Sequence, residues 1–243
     1  MDYDDLVLIA ELDELSDEPT VRPYADAIAI QMWSSENIVN QIERYSGELP
    51  VVIIAHSDKS NNTSFSDSNI DSLQAVVEHD TVEAISIDLD SIQKEVRLFK
   101  CLESADVDVI ISYINNNSTP VKSDLMSIID GATNFGDVVY IQTAAKTTND
   151  TSTLLSVINE ATDQGIITGG VATGKIGRHT RAIAPFYGSK LAFAPLSQSK
   201  NDNSQHSFAI KELSNLISDI EYSDTTTSLS DLITNPLITE FNE

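Results

Sequence analysis

The side chains that could do chemistry in this sequence stand where short apolar runs end. His56 follows the run Val51–Ala55, Asp88 closes a later run, and Tyr140 lies within the run Val138–Thr143. Imidazole, carboxyl and phenol groups can act as general acids or bases when a fold brings them together. The sequence has no cluster of His, Cys, Asp and Glu with metal-ligand spacing and no nucleophile elbow. It therefore gives no support to a metal centre or to serine-hydrolase chemistry.

A glycine-rich stretch, Gly169–Lys175, matches the G-x-x-x-x-G-K pattern of phosphate-binding loops. Ile176 stands where such a loop needs a Ser or Thr to bind magnesium. The stretch also follows the seventh apolar run, whereas phosphate-binding loops usually follow an early one. We therefore interpret it as a backbone turn, at a place where barrels commonly bind anions.

Eight short apolar runs alternate with helical patterns along the chain. Most runs are continuous rather than alternating, as is typical of parallel strands that are covered on both faces. Eight strand–helix units in about 220 residues favour a single-domain α/β protein, a (β/α)8 barrel, over an open doubly wound sheet. The predicted strands are Leu6–Ala10, Ala27–Met32, Val51–Ala55, Ala84–Leu89, Asp108–Tyr113, Val138–Thr143, Ile166–Val171 and Lys190–Ala194.

Helical stretches fill the intervals between these runs. Ser68 and Thr151 are predicted N-caps, because their hydroxyls can accept from the first turn, and Gly165 is a predicted helix stop. The predicted helices are Glu36–Tyr45, Ile70–His79, Ser91–Glu103, Lys122–Asn134 and Ser152–Gln164.

Two regions depart from the strand–helix rhythm. Ser57–Asn69 is rich in Ser, Asn and Asp and predicts a mobile loop after the third strand. The barrel is predicted to span residues 1–220, and residues 221–243 form an extension that begins as a linker at Tyr222. Its short apolar segment, Leu229–Phe241, could dock on the barrel as a loosely held helix.

Charge is the strongest compositional signal. The 243 residues include 38 Asp and Glu against 14 Lys and Arg, a formal net charge of −24 spread along the chain. Such a surface repels nucleic acid and anionic membranes, so neither is an expected partner. No apolar run reaches the length of a membrane span, the first residues are acidic where an export signal would be basic, and Cys101 is the only cysteine. These features predict a cytoplasmic protein of an organism that keeps molar salt inside its cells.

Three segments in the second half of the chain share distinctive patterns. Ser112–Pro120 reads S-Y-x4-S-T-P, Gly174–Ser189 contains G-x2-G-R-H-T-R and A-P-x-Y-G-S, and Ala194–Pro195 follows. They resemble the type I 3-dehydroquinate dehydratase family, especially its archaeal form, and the likeness extends from Leu6 to about Ile220. The resemblance implies a (β/α)8 barrel, usually a homodimer, that dehydrates 3-dehydroquinate to 3-dehydroshikimate in the shikimate pathway. It also implies a lysine Schiff base, with no metal and no cofactor.

The catalytic positions that the resemblance implies hold residues unfit for that chemistry. The Schiff-base lysine of the sixth strand corresponds to Tyr140, and a phenol cannot form an imine. The general acid–base histidine of the fifth strand corresponds to Ile114, which has no proton to transfer. The glutamate that orients this histidine corresponds to Asp88, one methylene shorter. We therefore predict a degenerate family member that is catalytically impaired or inactive.

Most substrate-binding positions that the resemblance implies have changed as well. Gln31 stands for an arginine of the second strand, and His56 stands for an arginine after the third. The late Ser/Thr-Ala-Pro-Gly-Gln loop has become Asn203–Ser207. Arg181, the family's carboxylate-binding arginine, is unchanged. Its planar guanidinium can bind a carboxylate through two parallel hydrogen bonds.

The sequence leaves several interpretations open. A silent relative could still bind a small anionic carboxylate at Arg181. A working dehydratase could use relocated groups, with Lys146 as the amine and His56 as the base. A new activity could arise where these side chains meet Asp88 and Tyr140, although nothing in their spacing selects a reaction. Pure scaffolding in an oligomer is the remaining interpretation.

The charge predicts that salt stabilises this protein. Raising KCl from about 0.1 M to about 1 M shortens the Debye length from roughly 10 Å to roughly 3 Å, so repulsion among surface carboxylates falls. We expect the melting temperature, followed by circular dichroism, to rise by several degrees over this range. Sucrose serves as the uncharged control. A melting temperature that stays constant or falls with KCl contradicts the prediction.

Overall fold

Eight parallel strands form the centre of the molecule. The computed structural model describes residues 1–33, 38–57, 65–197 and 207–225. The strands are β1 (Val7–Leu12), β2 (Ala27–Gln31), β3 (Val51–Ala55), β4 (Val82–Asp88), β5 (Asp108–Asn115), β6 (Val138–Ala144), β7 (Thr168–Thr173) and β8 (Leu191–Pro195). Their order in the sheet is β7-β6-β5-β4-β3-β2-β1-β8. Each predicted strand is thus present, with its ends shifted by a few residues.

The sheet closes where β7 meets β8. Parallel ladders join all neighbouring pairs of strands except β7 and β8. Between β7 and β8, the Lys190 N–H donates to the Thr168 carbonyl at 2.7 Å. A Cβ at Gly169 would lie 2.9 Å from the Cβ of Leu191, so only glycine allows the two strands to approach this closely. The predicted (β/α)8 barrel is confirmed.

Helices cover the outside of the barrel. In the described ranges they are α1 (Glu18–Val21), α2 (Ile38–Arg44), α3 (Asp67–Val77), α4 (Leu89–Lys94), α5 (Val96–Glu103), α6 (Lys122–Ala132), α7 (Thr148–Asp163), α8 (Gly174–Gly177), α9 (Thr180–Ile183) and α10 (Ile210–Thr225). Two 3-10 turns, Leu15–Asp17 and Ala184–Tyr187, supplement them. Within those ranges every helix is too short or too polar to serve as a membrane span.

Local backbone geometry corrects some helix predictions. The helix expected over Ser91–Glu103 is interrupted at Glu95, whose φ of −111° and ψ of 90° are extended, so α4 and α5 are separate. Ser66, not Ser68, caps α3. Thr147 caps α7 in a capping box, and the predicted cap Thr151 is buried inside that helix. Ser66 and Thr147 lie two and four residues before the predicted caps. An N-cap residue has an extended backbone, and these two residues have that conformation directly before their helices.

Three further expectations concern turns and loops. Gly165 follows α7 with φ of +76°, which confirms the predicted helix stop. In the predicted loop Ser57–Asn69, residues 58–64 lie outside the described residues, and residues 67–69 belong to α3. The predicted linker start at Tyr222 is wrong, because α10 extends to Thr225. Residues 226–243, and with them the apolar segment of the extension, lie outside the described residues.

Two apolar layers hold the barrel together. The outer layer lies between strands and helices and is dominated by Ile, Leu and Val. The inner layer fills the barrel itself, because alternate residues of each strand point inward. The inner side chains are Val7, Ile9, Ala27, Ala29, Val52, Ile54, Ala84, Ile110, Val138, Tyr140, Val171, Leu191 and Phe193. Tyr140, predicted as a site residue, is thus also part of the packed interior.

The turn after β7 generates a prediction about two glycines. A Cβ at Gly177 would overlap the backbone carbonyl of Ala172, whereas a Cβ at Gly131 of α6 has no atom within 4 Å. We expect Gly177→Ala to lower the free energy of unfolding by about 1–3 kcal/mol, because β7 and α8 must separate. We expect the control Gly131→Ala to raise it by about 0.5–1 kcal/mol through helix propensity. Urea unfolding in molar KCl measures both, and equal effects would contradict the steric argument.

Candidate functional site at the barrel mouth

The carboxyl ends of the strands bring the predicted site positions to one end of the barrel. Side chains alternate along a strand, so Tyr140 shares its inward direction with Gln142, and Ser112 shares its direction with Ile114. In parallel barrels this end and its loops form the usual site of ligand binding. The structure therefore tests each predicted residue at the position where catalysis would take place.

Tyr140 is the third residue of β6 and lies in the barrel interior as a packed aromatic side chain. It is 7% exposed, and its ring meets Phe193 edge to face, with centroids 4.9 Å apart and an interplanar angle of 73°. Burial raises the pKa of Tyr140 to about 12, although the nearby positive charge of Arg181 opposes the shift. The phenol is therefore protonated at neutral pH. It offers no amine that could attack a ketone, and because it stays protonated it does not act as a base at neutral pH.

Arg181 lies next to this aromatic pair. Its Nη1 donates to the Phe193 carbonyl at 2.9 Å, and Thr180 anchors the start of α9 by accepting from the Ala172 N–H at 2.9 Å. A cavity of ≈ 10 Å³ is lined by Arg181, Tyr140 and Phe193 together with neighbouring residues of β7 and β8. This volume holds at most about one water molecule. A carboxylate ligand at Arg181 would therefore require the mouth to open.

Glu11 is a half-buried acid in this region that was not predicted from the sequence. It is the last inward position of β1 after Val7 and Ile9, and it pairs in register with Pro195 of β8. Burial raises the pKa of Glu11, and the charge of Arg181 acts in the opposite direction. Glu11 continues the two-residue spacing of the inward residues Val7 and Ile9, and this pattern in the sequence could have identified it.

His56 is built into the wall of the mouth. Its Nε2 hydrogen-bonds with the Ser86 hydroxyl at 2.9 Å, and Ser86 hydrogen-bonds with the Ser112 hydroxyl at 2.8 Å. Trp33 covers it by donating from Nε1 to the His56 carbonyl at 3.0 Å. Burial lowers the pKa of His56 to about 4, despite the opposing charge of Asp88. The imidazole is therefore neutral at neutral pH. The arginine that the resemblance implies at this position would carry a positive charge.

Asp88 serves as a helix cap. Its carboxylate accepts from the Ser91 N–H at 3.0 Å, from the Ser91 hydroxyl at 2.9 Å and from the Ser57 N–H at 2.9 Å. Three donors thus fix the carboxylate at the start of α4. Ile114, half-buried on β5, offers it no polar atom, so the acid–histidine pair implied by the resemblance has no counterpart here.

The remaining predicted residues are dispersed. Gln31 is exposed at the end of β2, and Ser207 is 6% exposed just before α10. Asn203 lies outside the described residues. Lys146 is exposed, and its backbone N–H donates to Asp150 at 2.8 Å, so this residue belongs to the start of α7 rather than to the barrel interior. The described part of the chain contains no group of three or more His, Cys, Asp or Glu residues that could hold a metal ion.

A much larger cleft lies on the outside of the barrel, away from these positions. It has a volume of ≈ 980 Å³ and lies between residues 13–22 and 40–47. Beside it, the buried carboxylate of Glu18 accepts from Arg22 Nε at 2.9 Å, from Arg22 Nη2 at 2.7 Å and from the Leu49 N–H at 3.3 Å. These bonds lower the pKa of Glu18 and tie α1 to the segment before β3. The network has the contacts of a structural ion pair.

Comparison with known proteins agrees with the barrel and its motifs. The family model described as type I 3-dehydroquinase matches residues 20–223. The 3-dehydroquinate dehydratase of Haloarcula marismortui is 28% identical over 202 residues, which cover 81% of this chain and 88% of that protein. That of Halobacterium salinarum is 24% identical over 227 residues, covering 91% of this chain and 100% of that protein.

Solved structures show the same fold. The 3-dehydroquinate dehydratase of Geobacillus kaustophilus superposes with a TM-score of 0.75 at 17% identity, covering 90% of this chain and 92% of that one. The type I enzyme of Clostridium difficile gives 0.76 at 16% identity, with 90% and 94% covered. Since the family model extends over most of the sequence, the chain belongs to the type I 3-dehydroquinase family.

Proposed function

We propose that this chain is a 3-dehydroquinate dehydratase homologue of the shikimate pathway that has lost the imine-forming chemistry of its family. The observation that supports this most directly is the packing of Tyr140 against Phe193, with centroids 4.9 Å apart, at the position that the resemblance assigns to the Schiff-base lysine. An imine requires a primary amine aimed at the substrate ketone. A protonated phenol in a filled interior supplies neither the amine nor the space.

The other groups that the family reaction needs are also replaced or engaged. Ile114 cannot move a proton, and loss of a positioned general acid–base residue alone lowers a rate by about 10²–10⁴-fold. Asp88 caps α4 through three hydrogen bonds. Because the amine and the proton-transfer group are both missing, the remaining side chains give no route from 3-dehydroquinate to the enone product.

Arg181 is the group through which ligand binding would survive. Its guanidinium already donates to the Phe193 carbonyl, so its position is fixed before a ligand arrives. A carboxylate would take further N–H groups of the same guanidinium, and because the volume beside it is water-sized, the mouth would have to open to admit it. We propose a small anionic carboxylate as the ligand class.

The alternative of an active dehydratase with relocated groups has less support. Lys146 is exposed beyond β6, and its backbone is part of the α7 cap. His56 is neutral and could accept a proton, but its ring is bound to Ser86 inside the wall. No observation brings the Lys146 amine and the His56 ring to one substrate atom.

The net charge of the chain and the organisms of its similar proteins support a proposal about its cellular environment. We propose a halophilic, cytoplasmic protein that works as a homodimer. A net charge of −24 suits molar salt, and relatives from Haloarcula marismortui and Halobacterium salinarum support that setting.

The loss of imine chemistry predicts that the native protein does not turn over 3-dehydroquinate. In molar KCl we expect no rise in enone absorbance and no adduct after borohydride reduction, measured by mass spectrometry. The Haloarcula marismortui relative, assayed in the same buffer, is the positive control. We expect Tyr140→Lys/Ile114→His to form a reducible adduct, because it restores an amine where the ring stood. Native turnover that disappears in Lys146→Ala would contradict the proposal and would place the catalytic amine at Lys146.

Retained binding at Arg181 predicts a measurable affinity for 3-dehydroquinate without turnover. We expect Arg181→Ala to raise the dissociation constant by about tenfold to a hundredfold in isothermal titration calorimetry, since a charged hydrogen bond contributes about 1.5–3 kcal/mol. Arg181→Lys keeps the charge but loses the two-pronged geometry, so we expect it to bind more weakly than native. Lys175→Ala, which removes an exposed cation of the neighbouring α8, is the matched control and should change nothing. Equal losses in Arg181→Ala and Lys175→Ala would show that only general charge matters.

A further inference from the structure

The strands β7 and β8 are joined differently from the other neighbours in the barrel. Among the described strands, parallel ladders join every neighbouring pair except this one. The backbone hydrogen bond from Lys190 to the Thr168 carbonyl holds the two strands together at their amino-terminal ends. The facing edges of β7 and β8 beyond this bond, toward the mouth of the barrel, are here called the seam.

Side chains bridge the seam where a ladder would otherwise run. The Gly170 N–H of β7 donates to the Ser189 hydroxyl at 3.2 Å, and this hydroxyl donates to the Leu191 carbonyl of β8 at 3.0 Å. Nearer the mouth, the Arg181 guanidinium donates to the Phe193 carbonyl at 2.9 Å. Bridging side chains therefore hold together two strands that elsewhere in the barrel would share a continuous row of backbone bonds.

The edge of β7 is partly satisfied without β8. The Ala172 N–H donates to the Thr180 hydroxyl at 2.9 Å, and this hydroxyl donates to the Gly177 carbonyl at 2.8 Å. Thr180 begins α9, which follows β7 in the chain, so these bonds remain when the two strands separate. A buried backbone N–H without a partner is costly. The Thr180 hydroxyl removes that cost from a state in which the seam is open.

The water-sized cavity beside Arg181 lies in this seam. Its lining includes Gly170 and Val171 of β7, Ala192 of β8, and the bridging residue Ser189. Atoms that line a void lack contact partners on one side, so the packing holds the strands together less strongly here. Separation of β7 and β8 would enlarge the cavity directly beside the guanidinium. The missing ladder and the missing atoms thus coincide at the place where a carboxylate would have to enter.

We propose that the barrel opens along this seam and that Ser189 is the positioning residue that keeps it closed, so that Ser189 controls the access of a carboxylate to Arg181. The access role rests on the ligand binding proposed above, whereas the opening itself does not. Opening here breaks the Ser189 bridge, whereas opening between laddered neighbours would break a row of backbone bonds. The remaining N–H groups of Arg181 then border a larger space, in which a carboxylate can pair with two of them.

A buried thiol in the seam measures its opening without any ligand. Ala192 lines the cavity and is 7% exposed, so Ala192→Cys in a Cys101→Ser background is the seam probe. Ala10→Cys in the same background is the matched control, because Ala10 is fully buried on β1 between two laddered neighbours. In molar KCl we expect a maleimide to modify the seam probe at least about tenfold faster than the control probe, since local opening exposes it. Equal rates for the two probes overturn the proposal.

Removal of the bridging hydroxyl tests the role of Ser189. We expect Ser189→Ala to speed modification of the seam probe by about threefold to tenfold and to leave the control probe unchanged, because the lost bonds act on the seam alone. Thr173→Val removes a hydroxyl that donates to the Thr143 carbonyl at 3.0 Å between the laddered strands β6 and β7, and should change neither rate. Equal acceleration of both probes by Ser189→Ala would mean general destabilisation and overturns the positioning role. The comparison of the two probes needs no change at Ser189, so it tests the seam even if Ser189→Ala fails to fold.

Ligand binding tests the access role separately. If opening limits the population that can bind, Ser189→Ala should lower the dissociation constant for 3-dehydroquinate by about threefold to tenfold in isothermal titration calorimetry, since apparent affinity scales with the open fraction. A dissociation constant that is unchanged or raised overturns the access role. If neither the native protein nor Ser189→Ala binds 3-dehydroquinate while the probes behave as expected, the proposed ligand and the access role are wrong and the opening of the seam is supported.

Discussion

The packing of the barrel interior is the constraint on which the rest of this molecule depends. Eight strands direct alternate side chains inward, and those side chains must fill the barrel without voids. Tyr140 meets this requirement by packing edge to face on Phe193, and the space left beside Arg181 is ≈ 10 Å³. With the ring in this position, a ligand could reach Arg181 only if the packing around it opened. The aromatic ring at position 140 and the filled interior beside Arg181 are therefore one structural feature.

The polar groups at the rim are subject to the same constraint. A buried polar group left without a partner costs about 1–3 kcal/mol, so each must find one inside the fold. Asp88 finds backbone and hydroxyl donors at the start of α4, His56 finds Ser86, and Arg181 finds the Phe193 carbonyl. These three side chains thus stabilise the fold through contacts within the chain. The pKa of the half-buried Glu11 is raised, because the effect of burial outweighs the opposing charge of Arg181.

The sequence predicted the barrel well because continuous apolar runs mark strands that are buried on both faces. It also placed Tyr140 within the sixth strand, and Ile114 and Asp88 at the carboxyl ends of the fifth and fourth strands. It failed where an outcome depends on tertiary geometry. The break at Glu95 depends on a single extended residue, and the role of Asp88 as a cap depends on where α4 begins. Whether Arg181 faces an open pocket or a carbonyl is likewise set by packing between β7, β8 and α9.

The segment Gly174–Ser189, which carries much of the family resemblance, can be explained without any catalysis. Gly177 has no room for a side chain beside Ala172, and Gly188 adopts a φ of +98° that other residues rarely tolerate. Ser189 accepts from the Gly170 N–H at 3.2 Å and helps to close the barrel. The motif is therefore evidence of a maintained fold, and the proposed loss of catalysis rests on Tyr140 and Ile114 instead.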